Sequence, residues 1–394
     1  MPTSSRVEVM QTAERGLGLF VTGSADCRAG DVLISIPLTS CISSADVAHF
    51  PWSKSLKPDD TYAQAVLALV ALADAQERGI TADPRAAYFL AVAPFGHLAA
   101  TMLPLWPDDD ATAQRLGHSI CWQRSRVERQ CLAQEHAALS AAGLRASLER
   151  YEWASMVMKT RAHARMDTGH ALFPIIDLAN HASVGATAKV VVDSGSVNLV
   201  AAYTLSPGDE VTICYDVNAD YMDLVERYGF FDASSVIWTA EIGVSQDALC
   251  CADAASAALV SGLAEEGCCS EHGAWWVPDT KVEACPLLAA LRATLAAPEE
   301  RTAHSLEAAI ASLRAGPIRA EEAARALFVA LVQAHLDGYS TSLEEDMVAL
   351  EELARCRKST NDDGLPSAAI AVERERFALR ILTFEKQLLR SVMS

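Results

Sequence analysis

Basic residues are in deficit in this sequence, and long apolar runs are missing. Of its 394 residues, 32 are Lys or Arg and 51 are Asp or Glu, so the formal net charge is −19. Affinity for the phosphate backbone comes from Lys and Arg, and this balance counts against a general nucleic-acid binder. The longest apolar run, residues 63–75, is too short to span a bilayer. We therefore expect neither a nucleic acid nor a membrane as partner.

The sequence also lacks the cysteine spacing of a zinc site. Its 11 cysteines are an odd number, and residues 1–9 are polar, unlike a secretory signal peptide. These features predict reduced thiols in an intracellular compartment. The group at 250/251, 268/269 and 285 contains adjacent Cys-Cys pairs, whereas two thiolates that grip one zinc ion are usually spaced C-x-x-C. We therefore expect no metal.

The order of patterns predicts an α+β protein. Gly-punctuated β-branched runs indicate short strands over 6–42, and helical periodicity covers 61–165. Strand patterns return over 171–240, and helical patterns fill the chain from about 286. Because strands and helices do not alternate one by one, a doubly wound sheet is not expected.

A shift in charge density adds a boundary near 240. Residues 241–394 carry −10 of the net charge of −19. We predict two domains: 1–240, with a helical insertion at about 61–165, and a helical domain at 241–394. Within the latter, Ser342 and Glu345 have the spacing of a capping box at a helix start.

Three segments carry groups that could bind a ligand, and each also has an ordinary structural interpretation. The G-x-G within Arg15–Phe20 leaves backbone free for a ligand, or forms a common turn. The Asn180-His181 pair needs polar partners, which an adenine edge or a capped turn could supply. Tyr215, Tyr228 and Phe230 could cage a cation, or pack as core.

Taken together and in this order, the segments resemble SET-domain methyltransferases of the Rubisco large-subunit methyltransferase (LSMT) type. The residues that carry the resemblance are Arg15-Gly16-Leu17-Gly18-Leu19-Phe20, Trp153-Ala154 followed by Thr160-Arg161-Ala162-His163, Asp177-Leu178-Ala179-Asn180-His181, Tyr215-Asp216, Tyr228-Gly229-Phe230 and the segment 338–346. In this order they are similar to the family's opening segment, its W-A…[ST]-R-x-F motif, its D-x-x-N-H motif, its catalytic tyrosine, its Y-G-F motif and its substrate-binding segment. The similarity is collinear over nearly the whole chain.

The resemblance implies a fold and a site. The fold is a pseudoknotted SET core of small sheets with a helical insertion, followed by an all-α C-terminal domain. The implied cofactor is S-adenosyl-L-methionine, and the implied catalytic residue is Tyr215, with an orienting and electrostatic role. The implied cofactor-binding residues are Leu17, Gly18, Arg161, Asp177, Leu178, Ala179, Asn180, His181, Tyr228, Gly229 and Phe230.

Three positions bear on the acceptor. The family usually has Asn six residues after the catalytic tyrosine, where this chain has Tyr221. His163 replaces the aromatic Phe of lysine-specific members, which resembles the branch that methylates a histidine in actin; the side chain could also simply face water. That branch has Trp directly before the Asp, where this chain has Ile176. We take His163 and Ile176 as candidate substrate-binding residues.

The resulting hypothesis is a protein-lysine N-methyltransferase acting on a non-histone protein. Protein-histidine methylation and a catalytically inactive SET-like interaction module are the alternatives. The acidic C-terminal domain indicates a basic segment in the protein partner, and we expect a monomer. The expected location is the cytoplasm, the nucleus or both, with the plastid left open.

Overall fold

A computed structural model describes most of the chain. The described residues are 6–12, 15–47, 60–80, 82–165, 169–193, 195–232, 235, 239–244, 249, 254–264, 274–278, 285–296, 318–319, 321–356 and 367–393. They fall into two compact units. The first comprises Met1–Leu105, Glu128–Ala219 and Asp223–Val236, and the second comprises Trp106–Val127, Asp220–Met222 and Ile237–Ser394.

Short strands form the sheets of the first unit. In chain order they are β1 Val7–Thr12, β2 Gly16–Val21, β3 Val32–Pro37, β4 Ile42–Ser43, β5 Ala162–Arg165, β6 Gly169–Leu172, β7 Asn180–His181, β8 Ala188–Val192, β9 Ser196–Ala201 and β10 Glu210–Ile213. The sheets have the orders β1-β2-β10-β7, β3-β9-β8 and β4-β6-β5. Strand β10 is antiparallel to β2 and parallel to β7, so three distant chain segments meet along it.

Several of the described helices begin with a side-chain cap. The described helices are α1 Thr61–Glu77, α2 Pro84–Val92, α3 Phe95–Thr101, α4 Ala111–Arg115, α5 Ile120–Ala141, α6 Leu148–Arg161, α7 Tyr221–Tyr228, α8 Ala254–Leu263, α9 Pro286–Leu295, α10 Glu321–Asp337, α11 Leu343–Cys356 and α12 Ser367–Ser391. Asp60 and Ser147 accept amide hydrogen bonds at the starts of α1 and α6, which satisfies donors that the first turn leaves free.

The predicted helical segment 61–165 ends earlier than expected, at Arg161. From Ala162 onward the backbone instead pairs with β6, in the register Ala162 to Leu172. The Trp153 indole lies fully buried in the helical core, and its Nε1 donates to the Ala93 carbonyl at 2.7 Å. This anchor fixes the C-terminal end of α6 and therefore the position where β5 begins.

The second unit is mainly helical, as predicted, and the α+β architecture is confirmed. It also contains one antiparallel pair, β11 Thr239–Gly243 with β12 Ala274–Pro278. The predicted capping box is present: Ser342 Oγ accepts from the Glu345 amide at 3.2 Å, and the Glu345 carboxylate accepts from the Ser342 amide at 2.7 Å. The division of the chain at residue 240 stays a prediction.

The cysteines at 27, 41, 121, 131, 214 and 285 form no disulfide bonds, and those at 250, 251, 268 and 269 lie outside the described residues. Within the described ranges no cluster of three His, Cys, Asp or Glu side chains is arranged to hold a metal ion. No helix found in those ranges has the length and apolarity needed to cross a bilayer.

Candidate active site

A cavity in the first unit lies where α6 passes into β5. It encloses about 320 Å³ of empty space, including its open mouth. Its walls are Thr160, Arg161, Ala162, His163, Asp177, Ile213, Tyr215 and Tyr228. The fold thus brings together predicted site residues from three separate segments: Arg161 and His163, Asp177, and Tyr215 with Tyr228.

A buried ion pair forms one wall of the cavity. Arg161 Nη1 donates to Asp177 Oδ2 at 2.8 Å and to the Asp177 carbonyl at 3.2 Å. The Asp177 side chain is completely buried, and its other oxygen accepts from the Tyr88 hydroxyl at 2.6 Å. Burial raises the pKa of Asp177, and the Arg161 guanidinium opposes that shift.

Part of the Arg161 guanidinium makes no hydrogen bond to the described residues. Its Nη1 bonds to Asp177, whereas its buried Nε has no hydrogen-bond partner there. An orphaned donor on a cation is costly unless something pairs with it, and a carboxylate is the natural partner of a guanidinium. Arg161 is therefore a cation in the cavity wall that is suited to an anionic ligand.

Tyr215 is held from two directions. Its hydroxyl donates to the Ala179 carbonyl at 2.9 Å, and its amide donates to His181 Nδ1 at 3.0 Å. Burial raises the pKa of Tyr215, so the phenol stays protonated at neutral pH and is a poor base. The rings of Tyr228 and Phe230 lie 5.0 and 6.1 Å from that of Tyr215. Tyr215 and Tyr228 therefore line the cavity, and the ring of Phe230 packs beside them.

His163 lies in the cavity wall. Its ring stacks on Phe173 at 4.9 Å between centroids and 11° between planes. Burial lowers the pKa of His163 to about 4, so the imidazole is uncharged at neutral pH. Because His163 lines the cavity, the interpretation that its side chain merely faces water does not fit. The cavity wall carries a polar but uncharged group at this position.

The strand that carries the G-x-G packs closely against Asn180 and Glu210. A Cβ atom on Gly18 would lie 2.9 Å from Asn180 Nδ2 and 3.2 Å from Glu210 Oε1. Asn180 Nδ2 itself donates to Glu210 Oε1 at 2.8 Å, so the amide is fixed against the strand. Leu17 is part-exposed on the same strand. This narrow fit is a physical reason for glycine at position 18.

Several predicted residues shape the site from behind the cavity wall. Ile176 is completely buried in the sheet core and does not reach the cavity, so its predicted substrate contact is not seen. Leu178 and Ala179 are also buried in that core. Gly229 has φ +71°, and a Cβ there would lie 2.6 Å from Thr101 Oγ1. These four residues all serve packing. Ile176, Leu178 and Ala179 fill the core with apolar side chains, and Gly229 forms a tight backbone turn.

The sequence did not predict a role for Tyr88, which fastens the segment 175–177 by hydrogen bonds. Its hydroxyl accepts from the Ile175 amide at 2.9 Å while donating to Asp177. Ile175 has φ +73°, an outlier for a β-branched residue, and such strain persists only where surroundings hold it. No motif marks Tyr88, because it lies on α2, far from the motif segments in sequence.

Comparison with known proteins bears on this arrangement. Residues 281–389 match the family model of the Rubisco LSMT substrate-binding domain. The whole chain has the fold of Rubisco LSMT. A structure of that protein bound to AdoMet superposes with a TM-score of 0.70 and 18% identity, over 99% of this chain and 87% of the other. The resemblance predicted from the sequence is therefore confirmed.

Two further structures of the same protein agree. One, its SET domain bound to lysine and AdoHcy, and another, with sinefungin and monomethyllysine, each match with a TM-score of 0.70 and 19% identity. Each covers 100% of this chain and 87% of the solved chain. No curated protein matches the sequence.

Proposed function

We propose that this protein transfers a methyl group from S-adenosyl-L-methionine to a lysine side chain of another protein. One observation carries the proposal: Arg161, whose Nε has no partner among the described residues, lines the same cavity as the hydroxyl-bearing Tyr215. The fold adds support, because solved structures of Rubisco LSMT hold AdoMet, AdoHcy, lysine or methyllysine.

The residues present fit this cofactor. Arg161 would pair with its carboxylate, and glycine at position 18 lets the Asn180 amide lie close to β2, where Asn180 would hold polar groups of the cofactor. The faces of Tyr215, Tyr228 and Phe230 suit a cation, because aromatic rings attract positive charge. When bound, the cofactor supplies an electrophilic methyl group on a sulfonium cation.

The chain's own residues would prepare the amine. A lysine has a pKa near 10.4 in water, so it must lose a proton before it can attack. An apolar enclosure beside a cation lowers that pKa. His163 adds no positive charge, since its imidazole is neutral at pH 7. Tyr215, whose pKa is raised, would orient the acceptor rather than remove its proton.

Histidine methylation is the second candidate. The polar ring of His163 stands in the cavity wall, where it could hydrogen-bond another imidazole. The completely buried Ile176 favours neither acceptor, because it does not reach the cavity.

For the partner, we propose a non-histone protein with a basic segment. Support comes from the −10 charge of residues 241–394 and from the match of 281–389 to a substrate-binding family. A monomer in the cytoplasm or nucleus stays our working assumption.

The experiment is tritium transfer from methyl-labelled S-adenosylmethionine to proteins of a source-cell lysate, followed by mass spectrometry of the labelled peptide. We expect label on a lysine. Label on histidine would replace our first candidate by the second, and a complete absence of transfer together with absent cofactor binding would favour the inactive interaction module. An Arg161→Met protein gives the matched background.

A further inference from the structure

A hydrogen-bonded chain runs behind Tyr215 and ends at a buried carboxylate. His181 Nδ1 lies 3.0 Å from the Tyr215 amide nitrogen, and His181 Nε2 lies 2.9 Å from Ser183 Oγ. Ser183 Oγ in turn lies 2.7 Å from Asp232 Oδ2, which also accepts from the Ser183 amide at 3.3 Å. The side chains of His181 and Asp232 are 2% and 9% exposed, so water competes little for these bonds.

Chemistry fixes the direction of every bond in this chain. The backbone amide of Tyr215 can only donate, so His181 Nδ1 must be unprotonated and the ring proton sits on Nε2. That N–H donates to Ser183 Oγ, and the hydroxyl proton of Ser183 then points to the Asp232 carboxylate, which only accepts when ionised. Each link therefore depends on the next.

We propose that Ser183 and Asp232 are positioning residues for methyl transfer, which hold His181 as its Nε2–H tautomer so that its Nδ1 anchors the backbone of Tyr215 at the cavity. The predicted effect of these two residues on turnover rests on the proposed function. Neither residue lines the cavity, so both act through His181 and Tyr215.

The change Asp232→Leu tests this directly. Leucine is of similar size but cannot accept a hydrogen bond, so the Ser183 hydroxyl loses its acceptor and its proton is free to point back at His181 Nε2. The ring proton would then move to Nδ1, where it faces the N–H of Tyr215 and the anchor is lost. A residue with a purely packing role would not convert the tautomer when its shape is kept.

Acid should break the same anchor. A protonated His181 carries N–H at Nδ1 as well, opposed to the Tyr215 amide. The charged groups that face the ring are Asp232 and Asp216, which favour the cation, and Arg15, which disfavours it; burial has the largest influence and lowers the pKa of His181 overall. We expect the protein to hold the anchor down to a pH below 6.5.

The experiment uses the full chain labelled with ¹⁵N-histidine. Long-range ¹H–¹⁵N NMR correlations report the tautomer of His181, assigned with a His181→Gln sample. We expect Nε2–H in the natural protein and in Ser183→Thr, which keeps the hydroxyl, and Nδ1–H in Asp232→Leu, which removes the acceptor. Asp26→Leu, at an exposed position, serves as the matched control.

Turnover and cofactor binding complete the test. For Asp232→Leu and Ser183→Ala we expect tritium transfer to lysate proteins to slow by about 10- to 100-fold, while the dissociation constant for S-adenosylmethionine changes less than about twofold. If Asp232→Leu melts before assay, Ser183→Ala decides.

An Nδ1–H tautomer in the natural protein would overturn the proposal, and so would an unchanged tautomer or rate in Asp232→Leu. If the natural protein transfers no label at all, the proposed function fails. The NMR result would still decide whether this chain of bonds sets the tautomer of His181.

Discussion

Each of the two units contains a buried ion pair, and the two pairs are satisfied differently. In the second unit, Lys386 and Asp346 are 2.5 Å apart, with side chains 2% and 0% exposed. The ammonium donates to Asp346, to the Thr341 carbonyl at 2.6 Å and to Thr341 Oγ1 at 3.1 Å, and Thr341 Oγ1 donates to the other Asp346 oxygen. All three ammonium protons have acceptors.

In the first unit, the Arg161–Asp177 pair leaves the Arg161 guanidinium incompletely hydrogen-bonded. Arg161 and Asp177 are bonded at 2.8 Å, but Arg161 Nε has no partner among the described residues and its side chain is 23% exposed at a cavity. Buried polar groups are normally paired, so a satisfied pair indicates stability and an unsatisfied one beside a cavity indicates a ligand. Changes at the two pairs should therefore separate folding from binding.

The largest expected effect is on folding, at Lys386. Lys386→Met leaves Asp346 as a buried charge with no cation, which should lower the free energy of unfolding by about 3–5 kcal/mol in urea denaturation. The double change Lys386→Met/Asp346→Leu removes both charges and should restore most of that loss. A single variant within about 1 kcal/mol of the natural protein would refute the structural role.

The next effect is on turnover, at Tyr215. Tyr215→Phe removes the hydroxyl that bonds the Ala179 carbonyl, and the misplaced ring should slow tritium transfer by about 100-fold. Cofactor binding by calorimetry should persist, because Arg161 is intact. Tyr203→Phe, at a side chain 59% exposed, is the matched control. Undiminished transfer would remove Tyr215 from the mechanism.

A smaller effect is expected at Gly18. In Gly18→Ala the methyl group would press on the amide of Asn180 at 2.9 Å, so we expect cofactor binding to weaken by about tenfold, roughly 1.4 kcal/mol. Gly195→Ala, where the added carbon meets nothing within 4 Å, should bind normally. Equal affinity in the two variants would count against a cofactor at this strand.

The smallest effect compares one histidine in each unit. Burial lowers the pKa values of His163 and His335 to about 4, with His118 adding to the shift at His335. Because the unfolded chain binds more protons between pH 4 and 6.5, stability should rise with pH across that window and level off above it. His163→Gln and His335→Gln should each flatten the rise in urea titrations, and only His163→Gln should alter tritium transfer. If the slope of stability against pH is unchanged in both variants, the argument from burial is contradicted.

Local signals in the sequence were enough to predict much of this fold. Capping at Ser342 and Glu345, the strand near Val32 and the helical face of α12 follow from short-range rules of spacing and turn chemistry. The early end of α6 was not predictable in this way, because a partner strand decides it.

The site was predictable where a motif marks it and not elsewhere. Arg161, His163, Asp177, Tyr215 and Tyr228 line one cavity, as their order in the motifs suggested. Tyr88 bonds to Asp177 across 89 residues and Asp232 bonds to Ser183 across 49, and no local pattern reveals such tertiary hydrogen bonds. Ile176 adjoins a motif, yet its side chain turns into the core.

The most direct test is calorimetric titration of S-adenosylmethionine into three folded proteins: the natural chain, Lys386→Met/Asp346→Leu and Arg161→Met/Asp177→Leu. Both double variants replace a buried pair by apolar side chains, and melting temperatures check that each is folded. We predict equal affinity for the first two proteins and a loss of at least about tenfold in the third, since a charged hydrogen bond is worth about 1.5–3 kcal/mol. Equal binding by all three, or no binding by the natural chain, would contradict the assignment of this cavity to the cofactor.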